Sequence, residues 1–119
     1  MADIRMNLPL AFGALLLAGC TGNSAGDAAV TEQWLGRWNG PEGTYLEITG
    51  TPADYRLTIA NLDGPRRFVG RAQGERIVFV RDGVVETLTA TDGEATGMKW
   101  LLDKHNCLTV RGGEGYCRD

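Results

Sequence analysis

Few side chains in this chain are of the types that most often carry out catalysis. His105 is the only histidine, and Ser24, the only serine, lies in a small polar stretch near the N-terminus. Hydrolysis by a serine nucleophile needs a serine, a histidine and a carboxylate held together by the fold, so a triad of this kind is excluded. A metal site at His105 would need further histidine or cysteine ligands nearby. We therefore expect no metal and no cofactor.

Paired carboxylates are the remaining candidates for acid–base chemistry. Asp92 with Glu94, and Asp82 with Glu86, are close enough in sequence to share a site. Glu86 shares a predicted strand face with Leu88, which would bury its carboxylate. A buried carboxylate needs a partner of opposite charge or a raised pKa. A catalytic Glu86 and a salt-bridged or solvated Glu86 are the two alternatives, and without a nucleophile we expect no enzyme.

The composition is that of one small acidic domain. The 119 residues include 12 Lys and Arg against 15 Asp and Glu, a formal net charge of −3. This balance argues against a nucleic-acid partner, and the length is too short for two full-sized domains. Glycine is abundant with 17 residues while proline numbers 4, which indicates many turns rather than disorder.

The N-terminus has the pattern of an export signal. Arg5 precedes an apolar run at residues 8–17, and these ten residues are too few to span a bilayer, which takes about 20. The last residue of the run is the first of the quartet Leu17, Ala18, Gly19 and Cys20. This quartet resembles the lipobox of bacterial lipoproteins. The resemblance implies cleavage before Cys20 and modification of that residue by fatty acyl chains such as palmitate.

The same resemblance implies a location. Thr21 follows the cysteine, whereas an Asp at this place favours the inner membrane in lipoproteins of Gram-negative bacteria. We therefore expect the chain to be exported and anchored in the outer membrane through Cys20, facing the periplasm. Two or more acyl chains anchor a protein stably.

The other two cysteines fit this interpretation. With Cys20 lipidated, Cys107 and Cys117 remain, in a compartment that permits disulfides. A bridge between them closes a loop of nine residues. Metal binding by the pair is the alternative, but it needs further ligands and only His105 is near in sequence. We expect the disulfide.

The chain divides into a signal, a tether and one domain. Residues 1–19 form the signal, residues 20–33 the lipidated cysteine and a flexible tether, and residues 34–119 the domain. Within the domain, apolar side chains recur at every second residue in short runs separated by turn-forming residues. Asp82-Gly83 between two runs is a strong hairpin signal. The eight predicted strands lie at residues 34–38, 44–49, 55–59, 66–72, 76–81, 84–90, 98–103 and 107–111. Residues 116–118 could fold back after the turn at 112–115.

These strands predict an all-β fold, a small eight-stranded antiparallel up-and-down barrel. Short connections favour antiparallel neighbours, and a meander removes its exposed edges by closing on itself. A barrel of this size holds side chains or one small ligand. With strands of about six residues, we expect a mostly filled interior.

Gly36-Arg37-Trp38, in the first predicted strand, resembles the calycin group, which includes lipocalins and avidins. In that group the tryptophan closes one barrel end and a basic residue of the last strand packs across it. The resemblance implies that Trp38 is the plug and Arg111 the basic residue.

Two groups of side chains could line a binding site. One group is aromatic and either contacts a ligand or fills the core. It consists of Trp38, Phe68, Phe79 and Trp100. The other is basic and is either a solvated face or a surface for carboxylate and phosphate groups. It consists of Arg66, Arg67, Arg71, Arg76 and Arg81.

A glycine-rich segment beside the predicted disulfide is a candidate binding loop. Its residues are Gly112, Gly113, Glu114, Gly115 and Tyr116. A rigid loop that protrudes from a domain is a common way for a protein inhibitor to enter an enzyme cleft.

The anchor, the small barrel and the disulfide together resemble the membrane-bound inhibitors of c-type lysozyme, although the Ser-Gly-x-x-Tyr pattern of that family is absent. We expect a monomeric, non-enzymatic module that binds a periplasmic protein and inhibits an envelope hydrolase such as lysozyme. The alternatives are a calycin-like carrier of a small apolar ligand and an envelope structural or assembly factor. A carrier needs an internal cavity lined by Phe68, Phe79 or Trp100, whereas an inhibitor needs a filled core and a protruding loop.

Overall fold

The computed structural model describes residues 30–119. The predicted signal, the lipobox residues Leu17, Ala18 and Gly19, and Cys20 lie outside the described residues, as does most of the predicted tether.

Eight strands follow one another around a single closed ring, each antiparallel to its neighbours. They are β1 (Gly36–Asn39), β2 (Tyr45–Thr51), β3 (Asp54–Asn61), β4 (Gly64–Gln73), β5 (Arg76–Arg81), β6 (Val84–Thr91), β7 (Cys107–Arg111) and β8 (Glu114–Cys117). The predicted eight-stranded up-and-down barrel is confirmed.

Side chains of alternate residues fill the inside of this ring. On β3, Tyr55, Leu57 and Ile59 are buried, whereas Arg56 between them is exposed. Successive side chains of a strand point to opposite faces, so one set packs in the interior and the other meets water. The core cluster consists of Trp34, Trp38, Leu46, Ile48, Tyr55, Leu57, Ile59, Ile77, Phe79, Leu88, Leu108 and Tyr116. Every strand except β4 contributes a buried side chain to this cluster. From β4, the partly buried Phe68 and Ala72 pack against it.

The Asp82-Gly83 hairpin forms as the sequence predicts. Arg81 pairs with Val84 across the turn, and Asp82 and Gly83 have φ angles of 53° and 79°. Two consecutive positive φ angles match the twist of the flanking strands, and aspartate followed by glycine tolerates them well.

The prediction of a strand at residues 98–103 is wrong. This segment contains a 3-10 turn, Lys99–Leu101, within the long connection between β6 and β7. The apolar residues that suggested alternation, Trp100 and Leu102, point into solvent, with Trp100 68% exposed. Leu101 between them is buried with the two cysteines in a small second cluster. The eighth strand is instead Glu114–Cys117.

The segment predicted as a protruding loop is mostly strand. Only Gly112 and Gly113 form the turn between β7 and β8, while Glu114, Gly115 and Tyr116 belong to β8. Tyr116 is buried in the core. A tyrosine that packs in the barrel interior holds its strand in the sheet, so this segment does not protrude.

One end of the barrel is closed by the beginning of the described chain. We call it the lower end; the β2–β3 and β4–β5 turns lie there. Residues 30–32 form a helical turn, and the buried hydroxyl of Thr31 lies 2.9 Å from the hydroxyl of Tyr55 on β3. Val30 packs against the core cluster. The sequence predicts that residues 30–32 belong to the tether, but the burial of Thr31 and the packing of Val30 make this turn part of the folded domain.

Trp38 is buried at this end, and a basic residue covers it, but that residue is Arg118 rather than Arg111. The indole Nε1 of Trp38 donates a hydrogen bond to the carbonyl oxygen of Trp34 at 2.8 Å. The guanidinium carbon of Arg118 lies 4.0 Å from the centre of the Trp38 ring. Its nitrogens also donate to the carbonyl oxygens of Gln33, Trp34 and Leu35. Arg118 follows β8 at the lower end, whereas Arg111 ends β7 at the opposite end.

The disulfide joins the last two strands. Cys107 and Cys117 are directly paired residues of β7 and β8, with sulfur atoms 1.98 Å apart and Cα atoms 4.0 Å apart. The bridge closes the short loop that the sequence predicts and lowers the conformational entropy of the unfolded chain.

Replacing Trp38 by alanine should destabilise the barrel by about 3 to 5 kcal/mol, the usual cost of truncating a large buried aromatic side chain. Trp100→Ala is the matched control and should change the free energy of unfolding by less than about 0.5 kcal/mol, because Trp100 is exposed. Urea unfolding followed by circular dichroism measures both. A loss below about 1 kcal/mol for Trp38→Ala would contradict its role as the plug.

Candidate binding site at the mouth of the barrel

The end opposite the N-terminal turn is open, and we call it the mouth. The β1–β2, β3–β4, β5–β6 and β7–β8 connections meet there and surround a cleft of about 560 Å³. The charged residues of its lining are Glu42, Arg66, Arg81, Asp82, Arg111 and Glu114. Leu62, Met98 and Pro41 add apolar surface to the same cleft. The mouth is thus a concave surface of mixed charge with apolar contacts at its edge.

Four charged side chains form an ion quartet where the core meets the mouth. These residues are Arg81, Glu86, Arg111 and Glu114, one from each of the strands β5 to β8. Arg81 donates to both oxygens of Glu114 at 2.7 Å and to Glu86 at 3.0 Å. Arg111 donates to Glu86, and its Nε lies 3.9 Å from Glu114. Each carboxylate is therefore shared by two guanidinium groups.

Strand alternation explains why the quartet points inward. Arg81 continues the inward face of Ile77 and Phe79 on β5, and Glu86 is paired with Phe79 on β6. On β5 the inward face changes from Phe79 to Arg81 at the last residue of the strand, and on β6 the inward Glu86 lies two residues after the first residue, Val84. Because water reaches the strand ends, charged groups cost less there than deeper in the core.

A β-bulge brings Arg111 into the quartet. The register between β7 and β8 shifts between Thr109 and Arg111, so that Arg111 rather than Val110 lies opposite Glu114. Glu114 and Tyr116 share the inward face of β8, and the shift turns Arg111 towards the same side. A regular ladder would have placed Val110 there.

Burial within the quartet is graded. Glu86 is 6% exposed, whereas the side chain of Arg111 is 55% exposed. The hydrogen bond with Glu114 raises the pKa of Arg81 above its ordinary value, although desolvation opposes the shift. Burial, and then the charge of Glu114, raises the pKa of Tyr116. Arg111 is therefore the member of the quartet that a bound molecule can reach.

A second ion pair lies at the rim of the mouth. Arg66 donates to Asp82 at 2.7 Å, and this hydrogen bond lowers the pKa of Asp82. The guanidinium of Arg66 also lies 5.0 Å from the centre of the Phe68 ring. Leu62, at the tip of the β3–β4 turn, is 73% exposed. The rim therefore presents an apolar tip beside a fixed ion pair.

The structure separates several residues that the sequence suggested could act together. Asp82 and Glu86, a candidate acid–base pair, have different arginine partners. Of the two alternatives for Glu86, the structure shows the salt-bridged one, with Arg81 and Arg111 as its partners. Asp92 accepts a hydrogen bond from the backbone N–H of Ala95, while Glu94 is exposed in the following 3-10 turn. Among residues 30–119, no three His, Cys, Asp or Glu side chains lie close enough together to hold a metal ion.

The candidate aromatic residues do not line one common depression. Phe79 is buried in the core, and its ring centre lies 5.6 Å from that of half-buried Phe68. Phe68, Phe79 and Trp100 border three different surface depressions. The core accounts for Trp38 and Phe79, and Trp100 belongs to the outer surface.

The sequence points to Glu86, Arg81, Arg111 and Glu114 for separate reasons, but it does not predict that they form a quartet. The usable signal is the predicted burial of the Glu86 carboxylate, which requires a partner of opposite charge or a raised pKa. Its partners could not be named, because the bulge and the neighbouring strand pairs decide which arginines reach it.

Comparison with known proteins finds no matching family, no similar curated protein and no similar solved structure. Within residues 30–119, no helix is long and apolar enough to cross a bilayer.

Glu86→Gln should destabilise the barrel by about 2 to 3 kcal/mol, because it removes a buried charge that hydrogen-bonds to two guanidinium groups. Glu47→Gln is the matched control: Glu47 forms an exposed pair with Arg37 at 3.5 Å, and its loss should cost about 0 to 1 kcal/mol. Urea unfolding at neutral pH compares them. Equal, small losses in the two variants would show that the quartet contributes little to stability.

Proposed function

We propose that this protein is a lipoprotein of the outer membrane whose barrel acts in the periplasm as a non-enzymatic binding module. Its mouth captures an envelope protein and inhibits a hydrolase such as lysozyme. The observation that carries the proposal is a filled core beneath an open, charged mouth.

The filled core favours a protein partner over a small apolar cargo. Leu46, Ile48, Leu57, Ile77 and Leu88 are fully buried across the width of the barrel. A carrier would need an internal cavity bordered by Phe68, Phe79 or Trp100, and these residues border separate surface depressions. Binding is therefore expected at the surface of the barrel, where the mouth offers a cleft of about 560 Å³.

The chemistry of the mouth suits a protein surface. Protein interfaces commonly combine a few apolar anchors and arginines with a surrounding polar rim. At the mouth, Leu62 supplies an exposed apolar anchor and Arg111 an accessible guanidinium. The Arg66–Asp82 pair belongs to the rim. The element that would enter a partner's cleft is the β3–β4 turn, in place of the glycine-rich segment that the sequence favoured.

Two sequence features support the export and the anchor. The apolar run at residues 8–17 precedes the Leu17 to Cys20 quartet, and two of the three cysteines are joined in a disulfide. Disulfides persist in oxidising compartments such as the periplasm.

The anchor predicts that cells fed a radioactive fatty acid will label the wild-type protein and leave the Cys20→Ala variant unlabelled. Cys107→Ser/Cys117→Ser is the matched control, since it removes the other cysteines and should keep the label. An unlabelled wild-type protein would refute the anchor.

The mouth predicts that Leu62→Ser weakens inhibition of a c-type lysozyme acting on peptidoglycan by at least about tenfold, as for the loss of an interface anchor. Leu102→Ser is the control: Leu102 is also exposed but lies outside the mouth, and its variant should inhibit like the wild type. Absence of inhibition by the wild type would exclude lysozyme as the target. A partner recovered through the mouth without inhibition would favour the role of an assembly factor.

A further inference from the structure

The outer side of the barrel carries an apolar patch that the proposed function does not use. Val69, Val80 and Val85 are each more than half exposed, on three neighbouring strands, and Val80 is paired directly with Val85. With half-buried Val78 they border a depression of about 320 Å³ on the outer surface. A contiguous exposed apolar patch of this kind commonly marks an interaction surface.

Arginines flank these valines. Arg67 and Arg71 lie on the outward face of β4 on either side of Val69, and Arg71 is paired with Val78 of β5. Both arginines are exposed, and no carboxylate among residues 30–119 forms a salt bridge with either. We call this set, Arg67, Val69, Arg71, Val78, Val80 and Val85, the valine–arginine face.

The charge balance of β4 to β6 is positive although the whole chain is acidic. Residues 64–91 contain five arginines and three carboxylates. Asp82 is paired with Arg66, and Glu86 with Arg81. Arg67, Arg71, Arg76 and Glu75 are left unpaired within this stretch, a surplus of two positive charges. An anionic surface is therefore attracted to this side of the barrel.

The described chain begins beside the same strands. Val30 and Trp34 border a depression at the lower end together with Arg76 of β5 and Thr89 of β6. Nine residues lie between Cys20 and Val30, so the ten steps along the chain limit their distance to about 36 Å even when it is fully extended. An anchor at Cys20, as in the proposed function on which this step rests, would hold β5 and β6 near the bilayer.

From these observations we infer that the valine–arginine face docks on an anionic phospholipid surface. Its arginines pair with lipid phosphates, and its valines enter the boundary between headgroups and acyl chains. Positive charge attracts a protein to anionic lipid, and exposed apolar side chains add affinity by leaving water. The mouth then stays free for its partner.

Arginine footprinting tests this inference on the full chain reconstituted in vesicles. Phenylglyoxal modifies accessible guanidinium groups, and mass spectrometry reports the rate at each arginine. Vesicles of phosphatidylcholine alone are compared with vesicles of phosphatidylcholine and phosphatidylglycerol in equal amounts. Arg37 on β1 is the internal control, because β1 lies across the eight-stranded ring from β5.

We expect Arg67 and Arg71 to react about fivefold more slowly on the anionic vesicles, the factor for one arginine held at an anionic surface. Arg37 should react equally on both. Salt at 1 M should remove the protection, since it shortens the Debye length to about 3 Å. In the Val80→Ser/Val85→Ser variant, Arg67 and Arg71 should be less protected than in the wild type. The control is Leu35→Ser, which changes an exposed apolar residue of the N-terminal segment and should leave the protection unchanged.

The inference is overturned if Arg67 and Arg71 react at the same rate on both kinds of vesicle. It is also overturned if the anionic vesicles protect Arg37 as strongly as they protect Arg67 and Arg71. Protection found only in native membranes also overturns it, in favour of a protein partner on this face. Fatty-acid labelling scores the anchor independently. If the protein is labelled but Arg67 and Arg71 are not protected, the anchor stands and the docking is refuted. If these arginines are protected but the protein is not labelled, the docking stands and the anchor is refuted.

Discussion

The whole architecture depends on closing the ring between β1 and β8. These strands share a single paired position, Asn39 with Cys117, whereas β3 and β4 share seven. Side chains therefore supplement the backbone ladder at this seam. Arg118 stacks on Trp38 of β1 and donates to carbonyl groups just before that strand, while the disulfide ties Cys117 to β7. Without closure, the β1 and β8 edges would be unpaired and the core open to water.

Closure with eight short strands then determines what the interior can do. A ring of this size is just wide enough for side chains, and here Trp38, Tyr55 and Phe79 occupy much of it. The inward positions change to charged residues only at the mouth, where the ion quartet separates the apolar core from water. A ligand cannot enter the barrel without displacing those four side chains. Recognition is consequently expected on surfaces, at the mouth and on the outer side of the strands.

Much of the fold could be predicted because its signals are local. Alternation identified seven of the eight strands approximately, and Asp82-Gly83 located the β5–β6 turn. Alternation does not specify which face is buried, however. The segment at 98–103 alternates, yet its Trp100 and Leu102 face solvent and Leu101 is the buried residue. The glycines at 112–115 suggested a loop, but burial of Tyr116 holds most of that segment in β8.

The candidate site was harder to predict, because it depends on contacts between distant strands. Arg111 and Arg118 are equivalent in sequence as basic residues near the last strands. The bulge before Arg111 directs it to Glu86, and the end of β8 places Arg118 at the lower end over Trp38.

The same geometry makes the surfaces of the barrel independent. The mouth and the N-terminal turn lie at opposite ends of the strands, and the valine–arginine face runs along the side between them. A barrel lying on that side would direct its mouth along the membrane plane, so docking and capture of a partner can take place at the same time.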